Sequence, residues 1–401
     1  FLNEQRTVSA SELVEEIFAP AIAMRASDIH LEPEKNHLKI RFRIDGVLQE
    51  IVELPETWHH LLVSRVKVLA SMKLNVTATT QDGRFSVRLP EKTLDIRVSA
   101  LPSAYGESIV MRILGNEDFG VSVEQLGLLG RALKIIYQEI EKPNGMILMT
   151  GPTGSGKTTT LYSFLNHLNK QGVKIMTLED PVEYRLVGVI QTPIDHAAGM
   201  DFAQGLRSIL RQDPDIIMIG EIRDFETGET AAQAALTGHV VLSTLHTNDA
   251  AGAIPRLLDL GVKPVTIAPA LNALIAQRLV RRLCEHCKEV YRPSPEELQR
   301  VKIILGKIPK SAEVELPATL TLYRSRGCEE CHHLGYHGRI GVFEVFSVDD
   351  AMEKLVYQQS STVDIRHAAI AQGMMTMQQD GVVKALQGIT DLSEVWRVTE
   401  E

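Results

Sequence analysis

Long apolar runs, an excess of basic residues and internal repeats are all missing from this sequence. No apolar run approaches the ~18 residues that a membrane-spanning helix requires. The 401 residues carry a formal net charge of −9, whereas nucleic-acid-binding proteins usually present a basic face. Neither a repeat nor a low-complexity segment occurs. The sequence therefore predicts a globular protein that does not span a membrane and whose main partner is not nucleic acid.

Cysteine is scarce as well, and its four copies form two Cys-x-x-Cys pairs, Cys284/Cys287 and Cys328/Cys331. No basic and apolar secretion leader is found, so we expect a cytosolic chain with reduced thiols. Two such pairs are typical of a structural four-cysteine zinc site, in which four thiolates leave no position for a catalytic water. The alternatives are two redox-inert thiol pairs, or replacement of one thiolate by a nearby histidine (His286, His332, His333 or His337).

Length and hydrophobic patterning predict several domains, since a domain takes ~100–200 residues. Residues 1–114 combine helical segments with strands of alternating polarity, which predicts an α+β domain. A polar, glycine-flanked stretch at 115–120 predicts a hinge, which we place at 115–123. Residues 124–283 place short apolar strands at 146–150, 174–178, 215–219 and 240–244 between helices, which predicts an α/β domain with a parallel sheet. The cysteine pairs define a subdomain at 284–340, and residues 341–401 are predicted to be mainly helical.

The most informative motif is Gly-Pro-Thr-Gly-Ser-Gly-Lys-Thr at residues 151–158, a complete Walker A loop. An apolar strand precedes it and a helical segment follows, which is the context in which such a loop binds phosphate at a helix N-terminus. Its glycines let backbone N–H groups surround a phosphate chain. Lys157 would reach the terminal phosphates, and Thr158 would hold Mg²⁺. We predict nucleotide binding by Gly151, Pro152, Thr153, Gly154, Ser155, Gly156, Lys157, Thr158 and Thr159. No Asn-Lys-x-Asp guanine signature occurs, which favours adenine.

Three later segments place acids or histidines at strand ends. Glu179 ends an apolar strand and is a candidate to activate the attacking water. Glu221 follows the strand at 215–219, where a Walker B acid binds Mg²⁺ or its waters. His239 and His246 flank the strand at 240–244 and are candidates to sense the γ-phosphate. A strand-terminal acid is often only a helix cap and a lone histidine only a core residue, and which glutamate is the general base stays open.

Hydrolysis of a phosphoanhydride needs positive charge beside the equatorial oxygens, and arginine supplies it on a planar, permanently charged fork. The candidates are Arg97, Arg112, Arg207 and Arg223. Patterning alone makes Arg97 and Arg112 ordinary polar residues on alternating strands, and Arg223 a surface partner of Asp224.

The order of motifs resembles the secretion ATPase superfamily, the motor ATPases of bacterial type II secretion and type IV pilus assembly. The matching segments span almost the whole chain, at residues 25–33, 43–46, 81–84, 95–99, 151–158, 178–183, 210–215, 220–224 and 237–239. The resemblance implies an α/β fold, with a RecA-like P-loop ATPase domain hinged to an N-terminal PAS-like domain. It also implies a four-cysteine metal subdomain, a C-terminal helical region and a hexameric ring.

The resemblance assigns roles to individual residues as well. It puts Glu179 and Glu183 in the family's aspartate box, Glu221 in its Walker B segment, and His239 and His246 in its histidine box. Arg97 and Arg112 match arginines that the PAS-like domain swings onto the nucleotide, and Arg207 and Arg223 match those of the ATPase domain. The cysteine pairs match assembly-type members, which favours pilus extension or secretion over retraction.

The expected function is therefore an ATP-hydrolysing motor that uses ATP, Mg²⁺ and Zn²⁺. We expect it at the cytoplasmic face of the inner membrane, which it contacts only through partners such as a platform protein. The chain starts at Phe1, and we expect it to be a fragment that lacks the family's membrane-docking N-terminal domain. Two alternatives stay open: a DNA translocase with the same core, and a nucleotide-gated scaffold. The basic cluster at 278–282 would suit the translocase, but we interpret it as a helix face.

Overall fold

The computed structural model describes residues 10–90, 92–115, 120–317 and 319–400. The chain divides into two compact units at residues 119 and 120. The predicted hinge at 115–123 falls at this division, and its residues 116–119 lie outside the described residues.

In its described residues, the first unit is a six-stranded antiparallel sheet with two helices. Its elements are α1 (Ala10–Ala23), β1 (Asp28–Pro33), β2 (His37–Ile44), β3 (Val47–Pro55), α2 (Thr57–Leu69), β4 (Gln81–Arg88), β5 (Thr93–Ser103) and β6 (Gly106–Leu114). The strands lie in the order β3-β2-β1-β6-β5-β4. Every second residue of β2 is buried, because one face of the sheet packs on apolar residues while the other stays accessible. The α+β prediction is confirmed, although β1 and β3 were not foreseen.

The second unit is built on a seven-stranded sheet. It contains α3 (Gly130–Ile140), β7 (Gly145–Thr150), α4 (Lys157–Leu168), β8 (Ile175–Glu179), β9 (Val189–Pro193), α5 (Phe202–Leu210), β10 (Ile216–Ile219), α6 (Phe225–Leu236), β11 (Val240–Leu245), α7 (Ala253–Asp259), α8 (Pro264–Ala270) and β12 (Leu271–Leu283). It continues with β13 (Glu289–Tyr291), α9 (Pro295–Gly306), β14 (Leu322–Arg324), β15 (Tyr336–Ser347), α10 (Asp350–Tyr357), α11 (Thr362–Gln372), α12 (Met377–Leu386) and α13 (Leu392–Thr399).

The strand order of this sheet is β15-β12-β7-β11-β10-β8-β9. All neighbours are parallel except β12 and β15. Ile147 and Leu148 are neighbours in β7 but belong to two different hydrophobic cores. Each face of the sheet therefore packs against its own core, and helices cover both faces. The predicted α/β fold with a covered parallel sheet is therefore confirmed. Because every parallel strand ends at the same edge, the loops that follow β7, β8, β10 and β11 meet there.

One expectation about the second half of the chain was wrong. The basic cluster at 278–282 does not form a helix face but lies within β12. Residues 341–401 are mainly helical, as expected, although residues 341–347 belong to β15, which pairs with β12 and runs across the predicted subdomain boundary at residue 340. The first seven residues of β12 are all buried, so the alternation that identifies a strand is missing there.

Candidate active site

The Walker A loop connects a fully buried strand to a helix, as its sequence context predicts. β7 ends at Thr150 and α4 begins at Lys157. Gly151 and Gly156 have φ angles of +141° and +86°, in the region that favours glycine. A Cβ at Gly151 would lie 2.5 Å from a backbone oxygen of β12. These glycines therefore let the loop curve tightly against the sheet and present its N–H groups at the start of α4.

Polar groups inside the loop suit a phosphate ligand. Lys157 Nζ donates hydrogen bonds to Gly151 O at 2.7 Å and to Pro152 O at 3.0 Å. Burial lowers the pKa of Lys157, and the charge of Glu221 opposes that shift. The Ser155 hydroxyl is buried and has no hydrogen-bond partner in the described part of the chain. A phosphate group would supply an acceptor for Ser155 and a charged partner for Lys157, so the residues present fit a nucleotide.

Glu221, Arg223 and His246 form a cluster where β10 and β11 end. Gly220 N donates to Leu178 O at 2.8 Å, which holds the residue before Glu221 against β8. The two Glu221 carboxylate oxygens then divide between two partners: Oε1 forms an ion pair with Arg223 Nη2, and Oε2 lies 3.1 Å from His246 Nε2. Glu221 also raises the pKa of Arg223 through this contact. The structure thus brings three predicted residues together at the edge that carries the phosphate loop.

Glu179 lies in a closed network instead. Its carboxylate is buried at the end of β8 and accepts hydrogen bonds from the hydroxyls of Tyr162 and Thr177. Gln191 Nε2 donates a third hydrogen bond, at 3.1 Å. Burial, with a further contribution from Glu179, raises the pKa of Tyr162. Neither Tyr162 nor Gln191 is predictable from the sequence, because an apolar-flanked tyrosine on α4 and a glutamine on an edge strand carry no motif.

Two other predicted residues lie away from this cluster. Arg207, in the last turn of α5, forms an exposed ion pair with Glu226 at 3.3 Å. His239 precedes β11, so it lies at the opposite edge of the sheet from the Walker A loop. There its backbone oxygen accepts a hydrogen bond from Gly145 N at 3.1 Å, and its Nδ1 lies 3.0 Å from Ala234 O. His239 therefore does not join His246 beside the loop of its own chain.

In the first unit, Arg97 and Arg112 occupy one row across the sheet. They are directly opposed on β5 and β6. Arg112 is also opposite Asp28 of β1, and its Nε donates to the buried Asp28 carboxylate at 2.9 Å. Arg43 Nε lies 3.5 Å from the other oxygen of that carboxylate. One buried acid thus orients arginines on the accessible face of the sheet.

The four cysteines form a separate cluster in the second unit. Their Sγ atoms all lie within 4.8 Å of one another, and three of the distances are 3.7, 3.8 and 3.9 Å. A Zn–S bond of about 2.3 Å places the thiolates of a regular tetrahedron about 3.8 Å apart. Gly335 N also donates to Cys331 Sγ at 3.2 Å. The donor set and its spacing therefore fit a tetrahedral metal ion such as zinc.

No helix in the described ranges is both long and apolar enough to cross a bilayer.

Comparison with known proteins agrees with this geometry. The model of the family described as "Type II/IV secretion system protein" matches residues 3–397. The chain is 47% identical to the type II secretion system protein E of Pseudomonas aeruginosa, over 97% of this chain and 75% of that protein. It is 43% identical to the type IV pilus assembly ATPase PilB of Myxococcus xanthus, over 96% of this chain and 67% of that protein.

A solved structure shares the fold. The ATPase DotB of Legionella pneumophila superposes with a TM-score of 0.69 at 20% identity, over 99% of this chain and 98% of that one. The fold and the Walker A site define a P-loop ATPase of the RecA-like class. The chain belongs to the Type II/IV secretion system protein family.

Proposed function

We propose that this ATPase is the motor subunit of a type II secretion or type IV pilus assembly machine. ATP hydrolysis would drive the assembly of filament subunits through an inner-membrane platform protein. The observation that carries the proposal is the cluster of Glu221, Arg223 and His246 beside the Walker A loop. The names of the relatives, a type II secretion protein and a pilus assembly ATPase, support assembly as the process that ATP hydrolysis drives.

In the proposed reaction, the N–H groups of the Walker A loop and Lys157 bind the phosphates. Thr158 and Glu221 would hold Mg²⁺ or its waters, and the ion when bound neutralises charge on the transferred group. Glu221 accepts a proton from the attacking water, whose oxygen bonds to the γ-phosphorus as the bond to the ADP oxygen breaks. His246 holds the Glu221 carboxylate in position, and Arg223 supplies positive charge.

This assignment moves the base role from Glu179 to Glu221. Three protein donors already occupy the Glu179 carboxylate, whereas the partners of Glu221 are partly exposed. We propose that Glu179 instead fixes the end of β8 beside the site. Arg97 and Arg112 would act from the N-terminal PAS-like domain when the hinge at 115–123 closes, and Arg207 from the ATPase domain. His239 has no part in the proposed step on its own chain's nucleotide.

We also propose that the motor is a hexameric ring at the cytoplasmic face of the inner membrane, bound there through its partners. The decisive experiment measures ATPase activity per subunit against protein concentration, with metal-replete protein. Activity should rise steeply with concentration in the wild type and collapse in Arg112→Ala. Arg43→Ala is the matched control, because it removes the other arginine on Asp28. Activity that is independent of concentration and of Arg112 would contradict the ring motor.

For the cysteine cluster we propose one structural zinc ion per chain. Metal analysis of the purified protein should give about one zinc per chain, since four thiolates complete a tetrahedral site. Cys328→Ser should lose the zinc and lower the melting temperature. A metal-free wild type with the same melting temperature as the loaded protein would rule this out.

A further inference from the structure

β12 extends beyond β7 and continues past the Walker A loop. The last residues that pair between them are Ala276 and Thr150, so the next residue of β12, Gln277, lies where the loop begins. Gln277 is only 2% exposed. A buried amide in an apolar sheet costs free energy unless its polar atoms have partners, and an aliphatic side chain would fill the same space without that cost.

Gln277 lies against two glycines of the loop. A Cβ at Gly151 would be 2.5 Å from Gln277 O, and a Cβ at Gly156 would be 2.8 Å from Gln277 Nε2. Both distances are shorter than real Cβ contacts, so the loop backbone packs directly on this residue at both positions. The backbone of Gln277 meets the start of the loop, and its side chain meets the end.

The oxygen of the same Gln277 amide accepts a hydrogen bond from α4, the helix that follows the loop. Thr160 Oγ1 donates a hydrogen bond to Gln277 Oε1 at 2.7 Å, and Thr160 is fully buried. Thr160 lies in the first turn of α4, which also carries Lys157 and Thr158. The position of this turn sets where the Lys157 ammonium and the N-terminal N–H groups of α4 point.

We propose that Gln277 is a positioning residue for ATP binding. Its amide packs against Gly156 and accepts the hydrogen bond from Thr160, and so holds the loop and the first turn of α4 in the arrangement that receives the phosphates. The inference rests on the nucleotide binding contained in the proposed function. It adds a residue that lies outside the Walker A sequence, on a strand more than one hundred positions further along the chain, as the 117-residue separation between Thr160 and Gln277 shows.

The test is the dissociation constant of a fluorescent ATP analogue with Mg²⁺, measured together with the melting temperature of the nucleotide-free protein. Gln277→Leu keeps the volume but leaves Thr160 without its acceptor, and binding should weaken about tenfold. Thr160→Val should weaken binding to a similar degree. The double variant should lose no more than either single one, because both remove the same contact.

A third variant separates charge from packing. Gln277→Glu keeps an acceptor for Thr160 but brings a negative charge to Gly156, beside the bound phosphates. Because the site is buried, the carboxylate should also lower the melting temperature, and its repulsion should weaken binding of the analogue more than Gln277→Leu does.

Asn272→Leu is the matched control. Asn272 is also a buried amide on β12, and its Nδ2 donates to Asn144 O at 3.0 Å beside Gly145, but at the edge opposite the Walker A loop. It should lower the melting temperature and leave nucleotide binding unchanged. If folded Gln277→Leu and Gln277→Glu both bind like the wild type, the inference is wrong. A wild type that does not bind the analogue would instead overturn the proposed function.

Discussion

The ends of β8 and β10 share a sequence pattern, an apolar strand followed by a glutamate, yet the two glutamates have opposite surroundings. Glu179 is buried and receives hydrogen bonds from neutral donors of α4, β8 and β9. Glu221 contacts a cation and a histidine whose side chains are 64% and 51% exposed. A closed network fixes a structure, whereas a carboxylate among partly exposed groups can exchange partners when a ligand arrives. The comparison therefore separates a positioning acid from a reacting one.

The largest expected effect comes from Glu221→Gln. It removes the proposed base while keeping the size of the side chain, so turnover should fall about 10³-fold with ATP binding retained. Steady-state hydrolysis and binding of an ATP analogue measure the two quantities separately. Asp259→Asn, an exposed acid on α7, is the control for a change of net charge. Turnover of Glu221→Gln within a factor of two of wild type would favour the nucleotide-gated scaffold.

Glu394 sharpens the comparison, because it is a buried acid held by cations. It accepts hydrogen bonds from Arg281 Nη2 at 2.7 Å and from Arg397 Nε at 2.8 Å. Burial alone would raise its pKa, but the hydrogen bonds from Arg397 and Arg281 lower it from 4.5 to about 2. Since the folded pKa lies below the unfolded one, the stabilisation is complete above pH 4.5 and is lost as the pH falls to about 2.

Glu394→Gln should therefore cost about 3 kcal/mol of unfolding free energy at neutral pH, because it leaves two arginines without their charged partner. Denaturant unfolding over a series of pH values checks this. The difference between variant and wild type should shrink on acidification through the same interval. A difference that is constant with pH would mean that packing, not charge, is what the variant loses.

Glu179→Gln tests the closed network. The glutamine offers one acceptor oxygen where the carboxylate offered two, and its NH₂ group would face the donor on either Tyr162 or Thr177, which bind different carboxylate oxygens. We expect a loss of about 2 kcal/mol in stability and a fall in turnover of less than about tenfold. Thermal unfolding and steady-state hydrolysis measure the two effects. A fall as large as that of Glu221→Gln, with stability unchanged, would return the base role to Glu179.

The smallest effect is expected from His239→Ala. It removes one hydrogen bond to Ala234 O at the far edge of the sheet, which should cost about 1 kcal/mol of stability and leave turnover within about a factor of two of wild type. His246→Ala is the matched histidine at the loop edge and should lower turnover about tenfold. A large loss of turnover in His239→Ala without a change in stability would mean that this histidine acts on the nucleotide of a neighbouring subunit.

Several elements were predictable because their signals are local. Alternating polarity identified β2, β4, β5 and β6, and the short apolar runs identified β7, β8, β10 and β11. Both β12 and β15 were missed, because polar and apolar residues do not alternate in a strand that is buried on both faces. In addition, the arginines of β12 resemble the polar face of a helix. Tyr162, Gln191 and Gln277 were missed for a related reason: their partners are distant in sequence, and no spacing rule connects them.

The sequence by itself determined the phosphate-binding loop, the alternation of helices with β7, β8, β10 and β11, and the four thiolates, because each of these depends on short spacings and residue types. Only the tertiary structure decided which strand ends meet. It closed a network around Glu179, placed Glu221 with Arg223 and His246, moved His239 to the other edge and set Gln277 beside the Walker A loop. The physical reason is that the environment of a side chain is made by neighbours from other strands, whose pairing depends on the packing of the whole sheet.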